Sequence, residues 1–140
     1  MAQTQLFASL RFNDKKCVEA MNFYKNALGG ELEFMYAKDS PMATEFPPEG
    51  QDLVMHSTLK NGSWTLVGSD MMRDKAVQGD AVGIMMECES EEFARSAFAK
   101  LSEGGEVFMP LEDMFWGALY GMVTDKYGVE WSLNFTKPKA

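Results

Sequence analysis

Two stretches of the chain repeat each other: "FYKNALGGELEF", Phe23 to Phe34, and "FAKLSEGGEVFM", Phe98 to Met109. Each passes from a helix-spaced segment through a double glycine into a glutamate and a strand-like run. Glycine ends a helix because it takes the left-handed conformation that closes the last turn. Upstream of the first pair, Cys17, Ala20, Met21, Tyr24, Ala27 and Leu28 recur at helical spacing. That predicts a helix over "NDKKCVEAMNFYKNALGG", capped by Asn13 or Asp14. Upstream of the second pair, Ser90 precedes Phe93, Ala94, Ala97, Phe98 and Leu101, so Ser90 is the expected cap of a second helix.

Working outward, Leu6 to Phe12 alternates cleanly, with Leu6, Ala8, Leu10 and Phe12 on one side and Phe7, Ser9 and Arg11 on the other. Glu31 to Tyr36 follows the first helix as a strand. "DLVMHSTLKNGSWTLVGSD" is a hairpin, with Asn61-Gly62 read as a type I′ turn. That register sets Leu59 against Trp64. It makes one apolar face of Met55, Leu59, Trp64 and Leu66 with Ser57. The mixed face carries Val54, His56, Thr58, Thr65 and Val67. In the second half, Ala81 to Cys88 and Glu106 to Met109 are strands. "FWGALYGMVTDKYGVEWSLNF", Phe115 to Phe135, is a closing hairpin. Each half therefore reads strand, helix, strand, strand, strand. Repeated units of this kind bury a shared core. The expected fold is α+β, a single domain over residues 1–140. Its two βαβββ modules, about residues 4–70 and 80–136, form a concave mixed sheet around a shared cavity with the helices outside. "MMRDKAVQGD" links them. The Pro-rich segment from Asp39 to Asp52 is either a mobile excursion or a lid.

Composition narrows the function. Hydrophobic residues are 46% of the chain, enough for a packed core. Net charge is −8 with no Lys/Arg cluster, which argues against a nucleic-acid partner. No apolar run is long enough to span a membrane, and the N-terminus lacks the features of a signal peptide. Cys17 and Cys88 show no CxxC spacing and read as buried thiols in a reducing cytoplasm. There is no GxGxxG, Walker or GxSxG motif, and no glycine-rich βαβ start for an S-adenosylmethionine site.

Four stretches carry a resemblance: "EAMNFYKNALGGEL" (Glu19 to Leu32), "VMHSTL" (Val54 to Leu59), the "GSD" of Gly68 to Asp70, and the run from Glu103 to Phe135. In this order they resemble the vicinal oxygen chelate superfamily of glyoxalases, bleomycin-resistance proteins and extradiol dioxygenases, in its PhnB-like branch. The resemblance implies the two-module fold, a homodimer and a small-molecule ligand. It also implies four metal-ligand positions, which fall near Phe7, Val67, Gly83 and Ser132. None is a good ligand. A single histidine, His56, cannot supply a two-His-one-carboxylate site. His56 with Glu87 and Glu130 could supply three ligands, and a second His56 could approach across a dimer axis. The expectation is no cofactor, with a divalent metal disfavoured.

His56 is the candidate catalytic residue, a general base or a hydrogen-bond donor. The alternative is a half-buried histidine satisfied by a hydroxyl. Thr58 shares its face. Arg11 could meet an anionic ligand or pair with Glu87. Trp131 belongs to the core with Val129, Leu133 and Phe135, while Glu130, Ser132 and Asn134 face the other way, Glu130 as a solvated charge. The resemblance puts Trp116, Tyr120 and Met122 toward the cavity, with Gly117 and Gly121 allowing close approach by another backbone or helix. The candidate ligand-binding residues are thus Phe7, Arg11, Thr58, Trp116, Tyr120, Met122 and Ser132. Most of the twelve methionines are expected to pack in the core. The reading is a metal-independent small-molecule-binding protein. The alternative is a metal-dependent glyoxalase- or dioxygenase-type enzyme, a lyase or isomerase among its options, with a site rebuilt near His56.

Overall fold

In the computed structural model of the chain, residues 3–71, 75–77 and 79–138 are described. The chain divides into two compact units, residues 1–77 and 78–140. The first contains β1 (Ala8–Phe12), α1 (Cys17–Leu28), β2 (Glu31–Tyr36), β3 (Val54–Asn61) and β4 (Trp64–Asp70). The second contains β5 (Ile84–Glu87), α2 (Glu91–Ser102), β6 (Glu106–Asp113), β7 (Ala118–Thr124) and β8 (Glu130–Thr136). Each unit is a βαβββ module, and each sheet is four-stranded, in the orders β1-β4-β3-β2 and β5-β8-β7-β6. The first strand of each module lies parallel to its last; the other neighbours are antiparallel. The repeat in the sequence is thus a repeat of topology. Of the expected linker, residues 72–74 and 78 lie outside the described residues.

In the first unit α1 covers one face of its sheet. Met21 and Tyr24 are fully buried, with Leu59 and Leu66 beneath the helix. Gly68 lets Met21 come in: a Cβ there would lie 2.6 Å from the Met21 sulfur. The helix start differs from expectation. Asp14 and Lys15 both adopt φ 57, which turns the chain, and the N-cap position falls to Lys16, without a side-chain cap. Asn13 instead pairs with the backbone of Ala76, donating to its carbonyl at 3.0 Å and accepting from its N–H at 2.8 Å. The cap comes from Asp70 at the end of β4, whose Oδ1 accepts from the Cys17 N–H at 3.0 Å. A carboxylate suits that end because the first helical N–H groups lack partners and carry partial positive charge.

The β3–β4 turn also differs. Asn61 pairs with Trp64 and Leu59 with Leu66, so Gly62 and Ser63 form the turn. Gly62 has φ 60 and Ser63 does not join it in the positive region, the φ pattern of a type II′ rather than a type I′ turn. Asn61 stays in the strand and donates to the Leu28 carbonyl at the end of α1, 3.2 Å away. The expected register is off by two residues. Because side chains alternate with a period of two, the faces are unchanged. The segment between β2 and β3 is folded into three short 3-10 turns, at Ala37–Asp39, Ala43–Glu45 and Pro48–Gly50. Gln51 ties it together by donating to the Ala43 and Phe46 carbonyls, both at 2.8 Å.

In the second unit the expected cap holds: Ser90 Oγ accepts from the Phe93 N–H at 3.0 Å. Trp131, Leu119 and Leu133 form the core with Ala94, Ala97 and Leu101 of α2. The indole N–H of Trp131 donates to Asp125 Oδ2 at 2.9 Å, while Asp125 Oδ1 accepts from the N–H groups of Tyr127 and Val129. One buried carboxylate therefore shapes the β7–β8 turn and satisfies the tryptophan. Gly121 admits the close approach expected of it, since a Cβ would lie 2.9 Å from both Leu111 Cα and Phe98 Cε2. Gly117 does not: nothing lies within 4 Å, and its φ of +88 is what calls for glycine. β6 runs longer than expected, through Pro110 to Asp113, with two breaks of register against β7. A proline on an edge strand costs no ladder bond when its nitrogen faces outward.

Candidate functional site

Each sheet has one face under its helix and one helix-free face. In the first unit the helix-free face follows from the register. Ser9, Val67, Thr58 and Glu33 form one row across four strands. Arg11 pairs with Ser69 along the same face, and His56 pairs with Met35. The expected mixed face therefore exists, and His56 and Thr58 are both on it. His56 is exposed rather than half-buried, and no hydroxyl satisfies it among the described residues. Arg11 is exposed as well. Phe7 precedes β1 and is 50% exposed.

The helix-free face of the second unit is built from three rows. Met85, Ser132, Met122 and Met109 form the middle one. Glu87, Asn134, Tyr120 and Glu112 form the row on one side of it. Glu130, Thr124 and Glu106 form the row on the other. Trp116 sits at the mouth of the β6–β7 turn with its ring edge-on to Tyr120, centroids 6.0 Å apart, and Phe115 stacks edge-on behind it at 5.0 Å. The structure thus brings Trp116, Tyr120, Met122 and Ser132 onto one surface.

Two features of this face were not read from the sequence. Glu87 is the hub of a polar network. Asn134 Nδ2 donates to both its oxygens, at 2.9 and 3.2 Å, and the Thr136 N–H and hydroxyl donate to Oε2 at 3.3 and 3.4 Å. Glu87 is therefore held by its own sheet. Glu130 is not the solvated charge expected. It is half-buried, and its Oε2 is shielded from solvent without a hydrogen-bond partner among the described residues. The alternation of Glu130, Ser132 and Asn134 was the available signal. The parallel pairing of β5 on β8, which supplies Glu87, was not.

Both thiols are buried, as expected. Burial, with the Asp70 carboxylate adding to it and the Ser57 hydroxyl opposing it, pushes Cys17 up to about 12. Burial and the neighbouring Glu87 push Cys88 up to about 11. Both thiols therefore stay protonated at neutral pH.

The four positions where the resemblance places metal ligands do not fit a metal. Phe7, Val67 and Gly83 offer no donor atom, and the Ser132 hydroxyl is a weak one. Among the described residues no three His, Cys, Asp or Glu side chains gather as ligands. No helix of the described residues is long and apolar enough to cross a membrane.

Comparison with known proteins agrees with this architecture. The structure of protein PA1353 from Pseudomonas aeruginosa superposes with a TM-score of 0.85 at 36% identity, covering 97% of this chain and 100% of that one. A PhnB protein from Bacillus cereus superposes with a TM-score of 0.72 at 26% identity, covering 94% and 99%. Protein YjdN of Escherichia coli K12 is 24% identical, covering 86% of this chain and 88% of that protein. The profile of the Glyoxalase/Bleomycin resistance protein/Dioxygenase superfamily matches residues 7–133. The chain belongs to that superfamily.

Proposed function

We propose that the chain is a PhnB-like small-molecule-binding protein that works without the superfamily's metal. One observation carries this reading. Of the four positions where the resemblance places metal ligands, three have no side-chain donor and Ser132 offers only a weak one, whereas the helix-free face of residues 78–140 presents Trp116, Tyr120, Met122 and Ser132 together. Small-molecule sites combine apolar surface with placed polar groups; here Trp116, Tyr120 and the methionine row supply the first, and Ser132 is among the second. A homodimer is part of the proposal, as the superfamily resemblance implies. On the helix-free face of the first module, taken by itself, His56, Arg11 and Thr58 are proposed as ligand-contacting residues.

The test is a thermal-unfolding screen of a chemically broad library with a chelator present. A ligand at a hundred times its Kd adds about 2.7 kcal/mol of stability, a Tm rise of roughly 6–12 °C for a chain of this size. Stabilisation under chelator is expected for at least one compound class. A library that shifts nothing until a divalent metal is added overturns the reading. It favours instead a metal-dependent enzyme with a site rebuilt near His56.

A further inference from the structure

The four strands of the second unit carry Glu87, Glu106, Glu112, Asp113 and Glu130 and no lysine, arginine or histidine. The strands of the first unit are mixed, with Arg11, His56 and Lys60 beside Glu31 and Glu33. Of the five carboxylates, Asp113 is engaged by Lys137. The other four lie at register positions of the two rows that flank the methionines. Successive same-face residues along a strand are about 7 Å apart, so each carboxylate row runs about 7 Å from the thioether row.

Carboxylates on a sheet are by themselves an ordinary solvated surface. Two further observations set this one apart. The acids border exposed apolar and aromatic groups, with Met85 65% and Trp116 53% exposed, and the Trp116 and Tyr120 rings meet edge-to-face. Shielded Glu130 Oε2 is an acceptor for which the chain supplies no donor among the described residues. A buried acceptor left unpaired is costly, and a ligand N–H removes that cost. Glu87, held by Asn134 and Thr136, is oriented before any ligand arrives.

We propose that this face binds an organic cation: an aromatic body lying along the methionine row against Tyr120 and Trp116, with an ammonium or guanidinium group reaching a flanking carboxylate row. The inference rests on the small-molecule reading above and names its ligand class. The chemistry is specific. Aromatic faces attract cations through the negative potential of the ring face. Carboxylates add a charge-assisted hydrogen bond, and thioethers adapt to a ring of any outline. On these four strands an anionic ligand meets like charge.

The test is calorimetric titration of the full chain with three matched probes: 1-naphthylmethylamine, cationic at neutral pH, neutral 1-naphthylmethanol, and anionic 1-naphthylacetate. The amine is expected to bind at least about tenfold more tightly than the alcohol, with a preference that shrinks in about 0.5 M salt. Glu130→Gln and Glu87→Gln are each expected to lower the amine affinity about threefold or more and to leave the alcohol unchanged. If the alcohol or the acetate binds as tightly as the amine, the cation assignment is wrong and the small-molecule reading stands. If none of the three binds a protein that the library screen shows to bind other compounds, the assignment also falls alone. If the library is silent too, both fall.

Discussion

Asp70 joins three segments with one carboxylate: its Oδ1 takes the Cys17 N–H at the start of α1 and its Oδ2 takes the Val54 N–H at the start of β3. It is only 3% exposed. Asp70→Ala leaves two buried N–H groups without partners and removes the helix cap. The expected loss is about 2–4 kcal/mol, read as a lower urea midpoint with an unchanged m-value. No local pattern announces this cap, because the partner lies 53 residues away. The asparagine and aspartate beside the helix matched the local rule, yet the chain uses Asn13 to hold Ala76. The thiols, by contrast, were legible from position and type. With Cys17 near 12 and Cys88 near 11, a disulfide-exchange reagent at pH 8 is expected to label neither until denaturant is added. The sign for stability follows. In the unfolded chain both thiols ionise from their ordinary value of 9.0 upward, while the folded chain keeps its protons. Their contribution is whole below pH 9 and is lost as pH climbs through 11 to 12, which an alkaline unfolding series measures.

At the scale of elements, alternation carried most of the information. It separated Leu119, Gly121 and Val123 from Tyr120 and Met122, and Trp131 and Leu133 from Ser132 and Asn134, and the sheet obeys both divisions. It could not detect the β3–β4 slip, because two residues is one full period and the same side chains stay on the same faces. The break between β6 and β7 is a different case. There the pairing sum shifts twice between Val107 and Glu112, and no period read along one strand shows where its partner bulges. Gly121 is the element-scale test of the packing. Adding a methyl between the Leu111 backbone and the Phe98 ring forces one of them to move. Gly121→Ala is expected to cost about 1–3 kcal/mol in chemical unfolding. A neutral result would mean that α2 does not pack on β7 as described.

For the whole molecule, the double-glycine repeat was enough to establish two βαβββ modules, since a repeated unit of this length has few ways to bury one helix on one sheet. The candidate site was legible only as far as single strands. Trp116, Tyr120, Met122 and Ser132 fall on one surface because β7 and β8 are neighbours in sequence and space. The Glu87–Asn134 contact spans 47 residues and needs the parallel β5–β8 pairing, which no hairpin turn encodes. The proposed departure from the superfamily's metal chemistry lies at the donor level: a scaffold keeps its fold when its ligand residues change, so membership alone does not supply an activity. Native mass spectrometry of untagged protein purified without chelator tests that claim most directly. The account predicts a dimer whose mass contains no divalent metal, with any adduct organic. A dimer carrying about one divalent metal per chain through purification would contradict it.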